Sequence, residues 1–200
     1  MHIGVPLKVP DFGTVEVDIA WGGMFFVIAD AAQFSIDPIA KHGSEIVHAC
    51  EAMRTAAAEQ YPVIHPENEN ITGPTIAQLI APATDPKTDG RGAVVVSSGE
   101  YRAGTISGAL DRSPCGTGTC AKMAVLHAKG ELDIGQSYVN AGPLDTTFTG
   151  RIERTTRVGD HDAIVPTLSG QGWIYGVSQY LLDPTDPFQE GFTVGDIWAS

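Results

Sequence analysis

The stretch GTGTCAKMAVLHAKG, residues 116–130, constrains the fold of this chain more than any other. It reads as a helix from about Gly118 to Lys129, stopped by Gly130, with Lys129 set against the negative end of the helix dipole. Lys122, Leu126 and Lys129 share one face, and almost everything else on the helix is apolar or small. A helix that is apolar on most sides has to be covered on most sides. Strands are what the rest of the chain chiefly offers to cover it.

From Thr14 the alternation Val15, Val17, Ile19, Trp21 predicts a half-buried strand, Gly22-Gly23 a bend, and MFFVIAD (24–30) a buried second strand. ATDPKTDGRG (83–92) is rich in turn formers and predicts an exposed loop before the strand AVVVS (93–97). Further strand-like runs are TTFTGRIERTTRV (146–158), AIVPTL (163–168) and GWIYGVSQYLL (172–182). A second helix is predicted between Gly43 and Pro62. Its apolar positions Ile46, Cys50, Met53 and Ala57 recur at helical spacing, Ser44 is the expected N-cap, and Glu45, His48, Arg54 and Glu59 lie mostly on the other side. Many strands and two helices, in an order that is not βαβαβ, predict an α+β fold whose mixed strands wrap around a central helix.

The chain is long enough for a buried core: 200 residues make one large domain or two small ones, and 42% hydrophobic against 18% charged residues is a globular composition. Twelve Lys and Arg against 24 Asp and Glu give a net charge of −12, which repels phosphate backbones and anionic lipid and argues against nucleic acid as a partner. No apolar run approaches the ~20 residues needed to span a bilayer, so no membrane association is expected. Cys50, Cys115 and Cys120 form neither an even set nor a CxxC pair, which suits thiols in a reducing cytoplasm.

Cys115 is the chemically interesting thiol. It follows Pro114 and precedes the Gly-Thr run that opens the central helix. Glycines at 116 and 118 leave backbone N–H groups uncovered, and a helix N-terminus favours negative charge, so a carboxylate or a thiolate is welcome there. Helix N-termini are among the settings that lower a cysteine pKa, which predicts Cys115 as a base or nucleophile. Asp111, four residues earlier, adds a carboxylate for a substrate cation.

Other motifs fail on context. GTGTCA (116–121) satisfies GxGxxA, yet a dinucleotide fingerprint follows a strand directly, and ALDRSPC is a polar turn with a proline. A phosphate-binding Walker loop is excluded by Ala121 and Met123 at its required positions. Asp160, His161 and Asp162 sit in one short turn without a partner cluster, so no metal site is assigned. His42, His48, His65 and His127 are scattered, which leaves a Cys-His hydrolase a weak alternative.

DRSPCGTGTCAKMAVLHAKGEL resembles the second catalytic motif of the proline racemase family, which includes proline racemases, 4-hydroxyproline epimerases and, with threonine in place of the cysteine, trans-3-hydroxyproline dehydratases. VDIAWGGMFFVIADA (17–31), FTGRIERTTRVGDHDAIVPTLSGQGWIYG (148–176) and LLDPTDPFQEGFTVGDIW (181–198) extend the resemblance over nearly the whole chain. It implies a diaminopimelate epimerase-like fold: two α+β lobes, each a set of strands around a central helix, with the active site between them. Residues 1–180 would be the second lobe, and 181–200 a C-terminal segment returning toward the first. It also implies an isomerase without cofactor, acting on proline or a hydroxyproline. Cys115 would be one of two acid/base thiols facing opposite sides of the substrate α-carbon, with the amides of Gly116 and Thr117 on the substrate carboxylate and Asp111 on the ring nitrogen.

The family's first motif, a Met-Cys-Gly-His-type segment with the other catalytic cysteine, is absent from these 200 residues. Neither spare cysteine replaces it, since Cys50 and Cys120 both read as core residues within helices. The chain therefore resembles a C-terminal portion, expected to be inactive or nearly so alone. The competing reading is a non-catalytic binding module that keeps the carboxylate loop, with a homodimer left open.

Overall fold

A computed structural model describes residues 1–97 and 108–192. The first three strands, β1 (His2–Val9), β2 (Gly13–Trp21) and β3 (Phe25–Asp30), form an antiparallel meander. After α1 (Gly43–Gln60) come the small hairpin β4 (Val63–His65) and β5 (Asn68–Gly73), then β6 (Ile76–Pro82), β7 (Gly90–Ser97) and β8 (Gly108–Leu110). Helix α2 (Gly116–Ala128) is followed by β9 (Ser137–Ala141), β10 (Thr147–Val158) and β11 (His161–Ser169). Apart from the β4–β5 hairpin, the strands join in one mixed sheet ordered β1-β2-β3-β6-β7-β9-β10-β11, with β8 paired to β7. The β3–β6 and β7–β9 pairs are parallel and the others antiparallel.

Side-chain alternation in the central strands explains where the helices sit. Along β3, Val27 and Ala29 join one core with Ala77 and Leu79 of β6 and Ala93 and Val95 of β7, while Phe26 and Ile28 face the opposite way with Ile76 and Val94. These strands are buried on both faces, so each face needs a cover. On the first, α1 supplies Ile46, Cys50, Met53 and Ala57, all fully buried at the positions the periodicity marks. Burying side chains of Ile or Met size stabilises by roughly 1.5–3 kcal/mol each. On the second face lies α2, which touches β2 and β3 on one side and β10 and β11 on the other. Ala121 and Val125 pack on Phe26 and Ile28, and Met123 packs with Tyr138 and Ile152. The sheet thus curls around α2, the expected α+β arrangement with strands about a central helix.

Four local expectations are corrected. α1 starts at Gly43, so Ser44 lies inside it; His42 holds the cap position without a side-chain cap bond, and its ring pairs with Glu45 at 2.6 Å. β7 begins at Gly90 rather than 93, because Gly90, Arg91 and Gly92 complete the ladder to Pro82, Ala81 and Ile80 of β6. α2 begins at Gly116, two residues earlier than predicted, because Cys115 itself caps it. Residues 172–182 form no strand: the alternation in GWIYGVSQYLL meets no neighbouring strand, and Ile174, Tyr175 and Val177 are almost fully exposed. Among the described residues no helix is long and apolar enough to cross a membrane.

Candidate active site

The loop between β8 and α2 is built from nested turns. The Asp111 backbone N–H donates to the Val94 carbonyl at 2.8 Å, which ties the loop to β7. The Asp111 carboxylate accepts from the Ser113 N–H (2.8 Å), and the Ser113 hydroxyl oxygen accepts from the Cys115 N–H (3.1 Å). Such side-chain-to-backbone turns are the usual competitors of helix, and here they hold the chain out of helix until Cys115. Cys115 has φ 59° and ψ 116°, a left-handed backbone rare for a residue with a β-carbon.

From that position Cys115 becomes the N-cap of α2. Its Sγ accepts from the Gly118 N–H at 3.4 Å, its carbonyl accepts from the Thr119 N–H at 2.9 Å, and the Thr117 hydroxyl lies 3.7 Å from the sulfur. The first amides of a helix have no partner within it, so Gly116 and Thr117, both partly exposed, present N–H groups beside the thiol. The structure therefore brings together the four residues singled out from the sequence: Asp111, Cys115, Gly116 and Thr117.

The thiol's ionisation runs against expectation. Cys115 is only 8% exposed, and burial pushes its pKa above the ordinary cysteine value; the Gly118 amide and the Thr117 hydroxyl pull it down, while the Asp111 carboxylate pushes it up. Desolvation outweighs the helix terminus, so near neutral pH the sulfur carries its proton. Cys120 also departs from its predicted core place: it is partly exposed, and burial first and Cys115 second raise its pKa. Cys50 is fully buried under α1 with its thiol pushed far up by burial, as befits a core residue.

Several supporting residues escaped the sequence reading. Gly22 and Gly23, read only as a bend, lie against the first turns of α2: a β-carbon on Gly22 would overlap the Thr117 carbonyl, and one on Gly23 would sit 3.0 Å from the Thr117 methyl group. Asn140 of β9 and Thr119 of α2, both fully buried, bond to the Pro114 carbonyl. At the other end of α2 the capping residue Lys129 pairs with Asp18 at 2.8 Å, and Asp18 also accepts from the Gly4 N–H. The bend's signal was present as a glycine pair between two apolar strands; Asn140 and Thr119 carried none.

A single curled α+β sheet around a helix whose N-terminus carries the candidate site defines one lobe of the diaminopimelate epimerase-like class. The sequence model described as proline racemase matches residues 1–193, and this chain belongs to the proline racemase family. It is 40% identical over 186 residues to a 4-hydroxyproline 2-epimerase of Streptosporangium roseum, covering 93% of this chain and 53% of that protein. It is 34% identical over 189 residues to a proline racemase of Clostridioides difficile, covering 94% of this chain and 54% of that protein. Among solved structures it resembles a probable proline racemase from Agrobacterium radiobacter with bound carbonate (TM-score 0.79, 29% identity, 98% of this chain and 55% of that one). A hydroxyproline epimerase from Agrobacterium vitis with bound trans-4-hydroxy-L-proline is equally similar (TM-score 0.79, 28% identity, 100% of this chain and 54% of that one). The chain thus spans about half the length of these relatives.

Proposed function

We propose that this chain supplies one side of a cofactor-independent racemase or epimerase acting on proline or a hydroxyproline. Inverting an α-carbon takes a base on one face and an acid on the other. Cys115 is the thiol on one face. The observation that carries this reading is the Cys115 sulfur at the N-terminus of α2, within reach of the Gly118 amide and beside those of Gly116 and Thr117. In this reading Gly116 and Thr117 bind the substrate carboxylate, whose negative charge grows as the α-proton leaves, so donors fixed in advance lower the barrier. Asp111 takes the ring nitrogen. The raised pKa of Cys115 suits the acid role: it delivers a proton to the α-carbon as the opposite thiolate removes one, and the reverse reaction exchanges the roles.

The relatives named as acting on proline and 4-hydroxyproline, and the neighbour holding trans-4-hydroxy-L-proline, support the substrate class. Cys50 lies in the α1 core and Cys120 on the same helix as Cys115, so neither can face Cys115 across a substrate. The opposing thiol belongs to the first lobe of the whole protein, and 1–180 is the second. The exposed apolar side chains of Leu181, Leu182 and Phe188 fit a C-terminal segment (181–200) that returns to that first lobe; residues 193–200 lie outside the described residues. Three free thiols suit the cytoplasm.

The 200 residues alone are accordingly expected to leave L- and D-proline and 4-hydroxyproline uninverted. Incubation in D₂O, read by NMR for α-proton exchange and by polarimetry for inversion, tests this. Inversion at an ordinary enzymatic rate of ~1 per second or more would reveal a second acid/base group within this chain and end the two-thiol assignment.

A further inference from the structure

The Pro114–Cys115 peptide is held by a closed ring of buried hydrogen bonds. The Pro114 carbonyl accepts from the Thr119 hydroxyl at 3.2 Å and from the Asn140 side-chain amide at 3.2 Å, and the same Asn140 amide donates to the Thr119 hydroxyl oxygen at 2.9 Å. The donors balance: two N–H of Asn140 and one O–H of Thr119 serve three bonds. Asn140 is 1% exposed and Thr119 is fully buried. The preceding Ser113–Pro114 peptide is backed by Gly142, where a β-carbon would lie 2.8 Å from both the Pro114 nitrogen and the Ser113 carbonyl carbon.

This ring acts on the one peptide plane whose orientation sets Cys115. A residue with a β-carbon leaves the left-handed region unless its surroundings prevent it. Rotating the Pro114 carbonyl away from the ring would swing Cys115 off φ 59° and carry its sulfur from the Gly118 amide. We propose that Asn140 and Thr119 are positioning residues of the site: through the Pro114 carbonyl they lock the backbone of Cys115 so that its thiol points along the N-terminus of α2. The inference rests on the reading of Cys115 as the proton-transfer thiol. Asn140 comes from β9, an element separate from the loop whose own turns run through Asp111, Ser113 and Cys115.

Asp111, from the preceding loop, is a titratable group that acts on the Cys115 thiol, and Cys120, further along α2, is one on which Cys115 acts. Neither belongs to the ring, so removing the ring changes the thiol through geometry, by loss of the Gly118 amide that favours its ionised form. The test is the pH profile of iodoacetamide labelling, mapped to individual cysteines in the 200-residue chain, for wild type, Thr119→Val, Thr119→Ser and Asn140→Ala. Cys50, fully buried in the α1 core, reports an intact fold by remaining unlabelled. Thr119→Val is expected to lower the Cys115 rate at pH 8 by about tenfold, the effect of one pKa unit on the thiolate fraction, with the profile moved to higher pH. Asn140→Ala should act in the same direction, and Thr119→Ser, which keeps the hydroxyl, should restore the wild-type profile. The proposal is overturned if either disruptive variant leaves Cys50 unlabelled and the Cys115 rate within about twofold of wild type. Failure of the underlying reading shows separately, as an unchanged Cys115 labelling rate when the wild-type protein is saturated with pyrrole-2-carboxylate, a planar mimic of the deprotonated substrate.

Discussion

Gly22 lies against the Thr117 carbonyl with no space for a β-carbon between them. The turn joining β2 and β3 thereby meets the first turn of α2, although nearly half the chain separates the two in sequence. The contact fixes how deep α2 seats in the curled sheet, and with it the height at which the amides of Gly116 and Thr117 are presented.

Gly22→Ala is therefore expected to destabilise the protein by about 1–3 kcal/mol, the usual cost of overfilling a packed site, and to displace the α2 N-terminus. Gly13→Ala is the control: a β-carbon there meets nothing within 4 Å, and only its φ of 77° opposes the change, for a cost of about 1 kcal/mol. Urea unfolding of both variants checks the order. Equal stabilities of Gly22→Ala and wild type would show that α2 does not seat on this turn.

Stability should fall in alkali through buried acids that resist ionising. Tyr138, packed with Met123 and Ile152, has its pKa pushed up from 10.0 to about 12, first by burial and then by Asp89. Above pH 10 the unfolded chain releases this proton and the folded chain keeps it, so the unfolded state gains and stability drops by up to about 1.4 kcal/mol per pH unit until the folded value is reached. Cys50 and Cys115, raised in the same direction, add to the loss from about pH 9 upward. Tyr138→Phe should flatten the decline between pH 10 and 12 in urea titrations; a decline unchanged in slope would mean that Tyr138 ionises freely in the folded state.

How much of this was legible in the sequence depended on whether a residue's role was local. The periodicity of Ile46, Cys50, Met53 and Ala57, and the apolar character of α2, described helices correctly because each follows from spacing alone. Asp111, Cys115, Gly116 and Thr117 lie within seven consecutive residues, so one loop and one helix end could be read together. The pKa direction of Cys115 was not legible. It is a contest between a helix terminus, visible in the sequence, and burial by Val94, Phe26 and Ile28, which only the fold supplies. Asn140 and Thr119 stayed hidden for the same reason: their hydrogen bonds span 26 and 5 positions to a proline carbonyl, and no pattern marks a backbone acceptor. The strand expected over 172–182 failed because alternation describes a chain ready to pair, and pairing needs a partner.

The proposed role of Cys115 is that of the thiol facing a bound amino-acid carboxylate. Pyrrole-2-carboxylate, planar like a substrate that has lost its α-proton, should occupy the Gly116 and Thr117 amides and cover the sulfur. Labelling of the 200-residue chain with iodoacetamide at pH 8, mapped by peptide with and without this compound, reads the result directly. Saturating compound is expected to slow labelling of Cys115 severalfold, and Asp111→Ala to abolish the protection. An identical Cys115 rate with and without the compound would contradict the role proposed for this thiol.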